Sequence, residues 1–307
     1  MRVLFIFLDG VGLGADDPGV NPFARAPMPR LRSLLGGRTL IASSAPYVGD
    51  TATLLPLDAA LGVTGLPQSA TGQAVLMTGQ NVPAAIGQHY GPKPNPAVAY
   101  HLLNGNIFSR LRRLGRSVAL LNAYPPRYFH GVESGKRLLS SIPLAVTSAG
   151  VALLTKEDLY AGRALSADFT GAAWPAVLGY ADAPVLTPTE AGRALARLAA
   201  SHDFSLFEYW ATDYAGHKQD MRWALEQLEV FDGVLGGLVD SWDMAQGLIL
   251  ITSDHGNMED LSTRRHTDAS VPGLLIGSRR AREEFARGLT NLTGIAPAIY
   301  NLVAAPS

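Results

Sequence analysis

The chain opens on an unbroken apolar run, Arg2 to Leu8, that stops at Asp9-Gly10-Val11-Gly12-Leu13-Gly14. A run that is apolar at every position is the pattern of a central parallel strand covered on both faces, and the glycine-rich stretch behind it reads as the loop at its carboxyl end. Ser117 to Leu121, Phe204 to Ala211, Gly247 to Thr252 and Val271 to Ile276 repeat the pattern. Helical stretches separate most of these runs. Ala97 to Leu114 reads as a helix stopped by Gly115, and Thr187-Pro188-Thr189-Glu190 has capping-box spacing with Pro at the first helical position, opening a helix that runs to about His202. From Asp220 onward, Met221, Leu225, Leu228, Phe231, Leu235, Leu238 and Trp242 recur at steps of three or four, marking an amphipathic helix laid on a sheet.

Alternating strands and helices predict an α/β fold, a doubly wound, mostly parallel sheet flanked by helices. The rhythm breaks over residues 123–184, where paired prolines, several glycines and the aromatic run Tyr124-Pro125-Pro126-Arg127-Tyr128-Phe129 show no strong period. This segment is read as a small cap or insertion on a core made of 1–122 and 185–307.

Composition narrows the chemistry. With Cys 0, neither a disulfide framework nor a thiolate metal site is available, so any metal must sit on N and O ligands, and a reducing cytoplasmic location is expected. The net charge of -1 is made of interspersed signs and forms no basic stripe, so neither nucleic acid nor an anionic membrane is an expected partner. The first apolar run is too short for a signal segment, and no stretch reaches the roughly eighteen apolar residues of a membrane span.

Candidate chemistry gathers where strands end. Asp9 follows the first strand, Asp213 and His217 follow the third, Asp254-His255 follow the fourth, and Arg264-Arg265-His266-Thr267 precedes the fifth. In open parallel sheets that carboxyl edge is where ligands bind. Singly, each of these residues reads as a turn, cap or surface group. Gathered at one edge, so many carboxylates and imidazoles would repel or stay unsatisfied without a cation among them. The remaining part is Gly65-Leu66-Pro67-Gln68-Ser69-Ala70-Thr71-Gly72-Gln73, where a hydroxyl residue opens a short helix ending at Gly79. Local sequence reads Ser69 first as the helix N-cap. The alternative is a reactive oxygen favoured by the positive end of the helix dipole.

Phe7-Leu8-Asp9-Gly10-Val11-Gly12, Gly65 to Gln73, Asp213-Tyr214-Ala215-Gly216-His217, Thr252-Ser253-Asp254-His255-Gly256-Asn257-Met258-Glu259 and His266-Thr267, in this order, resemble the alkaline phosphatase superfamily. Within it, the branch of cofactor-independent phosphoglycerate mutase and phosphopentomutase is the nearest. The resemblance implies two divalent cations, Zn or Mn with Mg or Fe also admissible. One would be held by Asp213, His217 and His266, the other by Asp9, Asp254, His255 and the Ser69 oxygen. It also implies Ser69 as the nucleophile attacking phosphorus to give a phosphoseryl enzyme, with Thr71 as the lesser choice. Asn257, Glu259 and His89 are further polar residues near these motifs, without an assigned role.

Those mutases carry a large inserted domain whose arginines grip the substrate, and here only residues 123–184 stand in its place. Arg127, Lys136, Arg137 and Arg163 are its basic residues. A mutase must retain its dephosphorylated intermediate and exclude water, so a short cap favours hydrolysis. The expected activity is a phosphatase or phosphodiesterase on a small phosphorylated metabolite. A phosphomutase with a reduced cap is the alternative, and a metal-binding scaffold without turnover a more remote one.

Overall fold

The computed structural model describes residues 1–305. Its centre is a sheet of order β2-β3-β7-β6-β1-β5-β4, built from Arg2–Leu8 (β1), Tyr47–Val48 (β2), Ala52–Leu57 (β3), Val118–Leu120 (β4), Phe204–Tyr209 (β5), Gly247–Thr252 (β6) and Val271–Gly277 (β7). β1 pairs in parallel with β5 and β6, and β4 pairs in parallel with β5. The all-apolar pattern of β1 has the predicted cause. Val3, Phe5 and Phe7 enter the core on one face while Leu4, Ile6 and Leu8 enter the other, so every position from Val3 to Leu8 is buried.

The mixed half of the sheet was not foreseen in its direction. β7 is antiparallel to β6, β3 to β7, and β2 to β3. A parallel neighbour needs a crossover helix to bring the chain back. Between β6 and β7 there is only the loop 253–270, so β7 returns beside β6 in the opposite sense. β3 escaped prediction because Pro56 interrupts its apolar run, a residue that lacks the ladder N–H.

The predicted helix from Ala97 to Leu114 is two helices, Pro96–Leu103 and Ile107–Arg113. They divide at Gly105, whose φ of +135° no helix accommodates, and Asn106 caps the second by accepting from Ser109 N–H (3.1 Å). Thr187 and Glu190 form the predicted capping box, opening Pro188–Ala199, and Asp220 caps Met221–Ser241.

Pro188–Ala199 and Met221–Ser241 cover one sheet face together. They touch backbone to backbone, because a methyl group at Gly192 would overlap the Val234 carbonyl oxygen and the Leu238 nitrogen. Main chain cannot yield as a flexible side chain would. Gly192→Ala is therefore expected to lower unfolding free energy by about 1–3 kcal/mol, read from the shift of a denaturant midpoint.

The opposite face is covered by Ser69–Thr78, the two helices of 96–113, Ser141–Ser148 and the C-terminal Ile295–Ala304. Within 123–184, Ala123, Leu159, Ala164, Trp174 and Ala183 form a small cluster of their own. Ser141–Ser148 instead inserts Ile142, Ala145 and Val146 into the main core. Among the described residues no helix is long and apolar enough to cross a membrane.

Candidate active site

The loops bearing the candidate ligands leave the carboxyl ends of adjacent strands. Asp9 follows β1, and its N–H donates to the Tyr209 carbonyl (3.0 Å), joining the exits of β1 and β5. Beyond β5 the chain turns at Trp210 into the helix Ala211–Lys218, which places Asp213 and His217 one turn apart. Thr212 Oγ1 donates to the Asp9 carbonyl (2.5 Å), fixing this helix against β1. Beyond β6 come Ser253, Asp254 and His255, all fully buried. Ser253 Oγ accepts from Val11 N–H (2.9 Å) and donates to the His255 carbonyl (2.9 Å). The same loop folds back, with Thr267 N–H donating to the Gly256 carbonyl (2.9 Å), and so delivers His266.

These side chains meet. His217 Nε2 lies 3.2 Å from Asp213 Oδ2 and 3.3 Å from His266 Nε2. The His266 ring stacks on His255 with centroids 3.7 Å apart. His255 Nε2 is 3.6 Å from Asp9 Oδ1 and 3.5 Å from Asp254 Oδ2. Asp213, His217 and His266 offer ligand atoms within 4.8 Å of one another, and so do Asp9, Asp213 and His255. Asp213 thus lies within reach of both groups, whereas the resemblance gives it to one.

Ser69 is the first residue of Ser69–Thr78, and Gln68 occupies the cap position without a side-chain bond. The local reading of Ser69 as the N-cap is corrected: its Oγ points away from the helix and lies 3.0 Å from His255 Nε2. Thr71 Oγ1 is consumed by backbone, donating toward the Gln68 and Tyr90 carbonyls (3.1 and 3.3 Å) and accepting from Tyr90 N–H (3.1 Å).

Each imidazole has its Nδ1 against a backbone carbonyl: His217 with Arg264 (2.8 Å), His266 with Pro67 (2.8 Å) and His255 with Gly256 (3.3 Å). A carbonyl only accepts, so Nδ1 carries the proton and each Nε2 presents a lone pair inward. Convergent Nε2 lone pairs beside carboxylates repel one another unless a cation lies among them. Asp9 Oδ1, buried and without a hydrogen-bond partner, points the same way. The donor set fits a divalent cation preferring N and O ligands.

The protein's own charges show the same tension. Burial, then Asp254 and Asp213, hold the Asp9 carboxyl well above the usual range. Burial and Asp213 push Asp254 up to about 8, and burial with the neighbouring His266 brings His255 down to about 3. Burial raises Asp213 as well, but the His217 hydrogen bond and its other partners outweigh this and hold it at about 2.

The remaining polar residues divide. Asn257 Nδ2 donates to Asp213 Oδ1 (2.6 Å), orienting that carboxylate. Glu259 is buried and accepts from the N–H groups of Gly12 and Asn257 (2.8 Å each) and from Thr267 Oγ1, fastening the loop after β1 to both arms of the 253–270 loop. His89 stands apart, half-buried with Nε2 unpartnered. Gln73, unremarked in the sequence, sends Nε2 toward Asp254 Oδ2 (3.4 Å); its place one turn beyond Ser69 was the available signal. Glu208, also missed, is the penultimate residue of β5 and accepts from Tyr124 OH (2.8 Å). Burial raises it to about 7 against the lowering by Tyr124 and Lys93. Of the basic residues of 123–184, Arg163 pairs with Asp158 (2.9 Å) and Arg137 lies over the Tyr128 ring at 4.9 Å.

The model of the Metalloenzyme superfamily matches residues 183–306. A 2,3-bisphosphoglycerate-independent phosphoglycerate mutase of Desulforudis audaxviator is 29% identical over 138 residues, covering 43% of this chain and 27% of that protein. The match therefore spans about a quarter of the relative's length. The alkaline phosphatase of the Antarctic bacterium TAB5 superposes with TM-score 0.53 at 12% identity, covering 100% of this chain and 98% of that one. The Leishmania mexicana phosphoglycerate mutase gives 0.51 at 11%, covering 100% and 96%. Residues 183–306 match the Metalloenzyme superfamily, and the chain as a whole has the alkaline phosphatase-like fold.

Proposed function

We propose that the chain is a metal-dependent phosphoric ester hydrolase that transfers a phosphoryl group from a small metabolite to Ser69 and then to water. One observation carries this reading. A hydroxyl freed from capping, at the first position of a helix, lies 3.0 Å from an imidazole that shares its pocket with three carboxylates and two further imidazoles.

When bound, two divalent cations, Zn or Mn in this reading, would supply charge neutralisation for the entering and leaving oxygens. Asp213, His217 and His266 would hold one, and Asp9, Asp254, His255 and the Ser69 oxygen the other. The chain's own residues supply the rest. Ser69 Oγ lies 3.0 Å from His255 Nε2, whose Nδ1–H is directed at Gly256, so the hydroxyl and the imidazole lone pair face the same cation position. The dipole of the Ser69 helix favours negative charge at this oxygen. Attack of Ser69 Oγ on phosphorus breaks the bond to the ester oxygen, which leaves with the proton given up by Ser69, and water then cleaves the phosphoserine, releasing inorganic phosphate and restoring the Ser69 hydroxyl.

The short 123–184 segment supports water as the final acceptor over a second substrate hydroxyl. Absence of Cys accords with a cytoplasmic setting. Incubation with phosphoglycerates and phosphosugars is expected to release inorganic phosphate as the main product. An isomerised phosphoester without free phosphate would replace hydrolysis by the mutase reading.

A further inference from the structure

A pocket of about 170 Å³ lies between residues 159–171, residues 184–186 and the helix Pro188–Ala199, and none of the candidate metal ligands lines it. Leu159, Leu165, Phe169, Leu186 and Ala194 give it apolar walls. An apolar cavity of about 150 Å³ is large enough to take a benzene-sized guest. Two polar groups on the wall are engaged elsewhere: Tyr160 OH donates to Asp182 (2.7 Å), and Glu190 Oε2 accepts from Thr187 N–H (2.8 Å) and Oγ1 (2.7 Å). Arg197, also on the wall, is different. Its Nη2 donates to the Gly162 carbonyl (3.3 Å), and it forms no ion pair among the described residues, which leaves most of its N–H donors to spare.

The inner wall is held firmly. Phe169 has a φ of +62°, a left-handed conformation that a bulky residue keeps only where its surroundings over-determine it. Its N–H donates to the Ser166 carbonyl (2.9 Å), and the neighbouring Asp168 accepts from the N–H groups of Gly171 (2.9 Å) and Ala173 (2.7 Å). The Phe169 ring packs on those of Phe207 and Tyr209 in β5, with centroids 4.6 Å away in each case. Leu186 N–H donates to the Thr170 carbonyl (2.8 Å), fastening a second wall to the same turn. A pocket fixed in this way need not be ordered on binding, so little of the contact energy is spent on that step.

We propose that this pocket binds a small carboxylic acid with a compact apolar body, the body against Leu159, Leu165 and Phe169 and the carboxylate at Arg197. The volume limits the body to about the size of one six-membered ring. A guanidinium with free donors selects a carboxylate, which it grips through two N–H groups at once. Glu190 on the same wall weighs against a doubly charged phosphate, since like charges repel. The site is therefore a second one, independent of the phosphoryl chemistry proposed at Ser69.

Calorimetric titration of the metal-loaded protein with phenylacetate and cyclohexylacetate, and with phenylethanol and cyclohexylethanol as uncharged partners of the same size, tests the proposal. At least one acid is expected to bind with a Kd of about 1 mM or tighter, and about tenfold or more below that of its alcohol, the scale of a charge-assisted contact. Arg197→Gln should weaken the acid to the level of the alcohol and leave the alcohol unchanged. Ala194→Leu, which puts a larger side chain into the pocket, should abolish binding of both with Tm near that of wild type. Arg197→Gln alters an exposed side chain and keeps the test decisive should Ala194→Leu fail to fold. Titration after chelation should return the same Kd, because an acid held by a metal would be lost with it. No saturable binding overturns the site, as does binding that survives Ala194→Leu in folded protein or disappears on chelation. Equal Kd for acid and alcohol overturns it as a carboxylate site. Turnover is read in none of these titrations, so their failure and that of the hydrolase reading are separate results.

Discussion

Ser69→Ala is expected to lower turnover of an aryl phosphate by roughly ten-thousandfold or more, the scale on which removal of a nucleophile acts when no neighbour replaces it. No neighbour here does. Thr71, two residues on, spends its hydroxyl on the Gln68 and Tyr90 backbone. The substitution should leave thermal stability nearly unchanged, because Ser69 caps nothing and its loss orphans no helix N–H. Near-wild-type Tm with abolished turnover is thus the expected pair of results. Thr71→Ser keeps the loop bonds and should stay within about tenfold of wild type. Substantial activity in Ser69→Ala together with its loss in Thr71→Ser would move the chemistry to Thr71 and sink the Ser69 assignment.

The candidate site was legible in the sequence because its elements are short and local. An apolar run ending in Asp or His announces both a strand and the residue at its carboxyl edge, and β1, β5 and β6 each follow that rule. What depends on tertiary closure was not legible. The sense of β7 follows from the lack of a helix in 253–270, which periodicity does not weigh against its neighbours. Pro56 hid β3, and Gly105 with Asn106 cut a helix whose apolar pattern runs through the break. Ser69 sits in a context that fits a cap, and only the placement of Gln68 and His255 shows otherwise. Glu208 gains meaning only when Tyr124 of the 123–184 segment reaches back to β5, since no local spacing relates the two.

In metal-free protein, stability should fall as pH rises from about 6.5 to about 8, because Asp9 and Asp254 bind protons more tightly folded than unfolded. Asp254 titrates at about 8 in the folded chain against an ordinary 3.8, and Asp9 is raised in the same direction. Native protein therefore carries the extra protons across that window, and stability present below the unfolded value is lost as pH passes the folded one. Asp213 has the opposite sign, but its folded value of about 2 puts its loss below the window, and His255, brought down to about 3 from an ordinary 6.5, opposes the carboxylates only below about pH 6.5, as does the lowered His266. A cation binds the deprotonated ligands, so the rise in Tm on adding Zn or Mn should itself increase with pH. Scanning fluorimetry of chelator-treated and metal-loaded protein reads both slopes. Asp254→Asn, which removes one of the repelling buried charges, should raise the metal-free Tm at about pH 8 while blunting the response to metal. Chelation should also stop aryl phosphate turnover, with activity returning on metal addition. A metal-free Tm flat across the window would show that the carboxylates are not crowded as described. A Tm indifferent to every divalent ion would remove the metal centre on which the hydrolase reading stands.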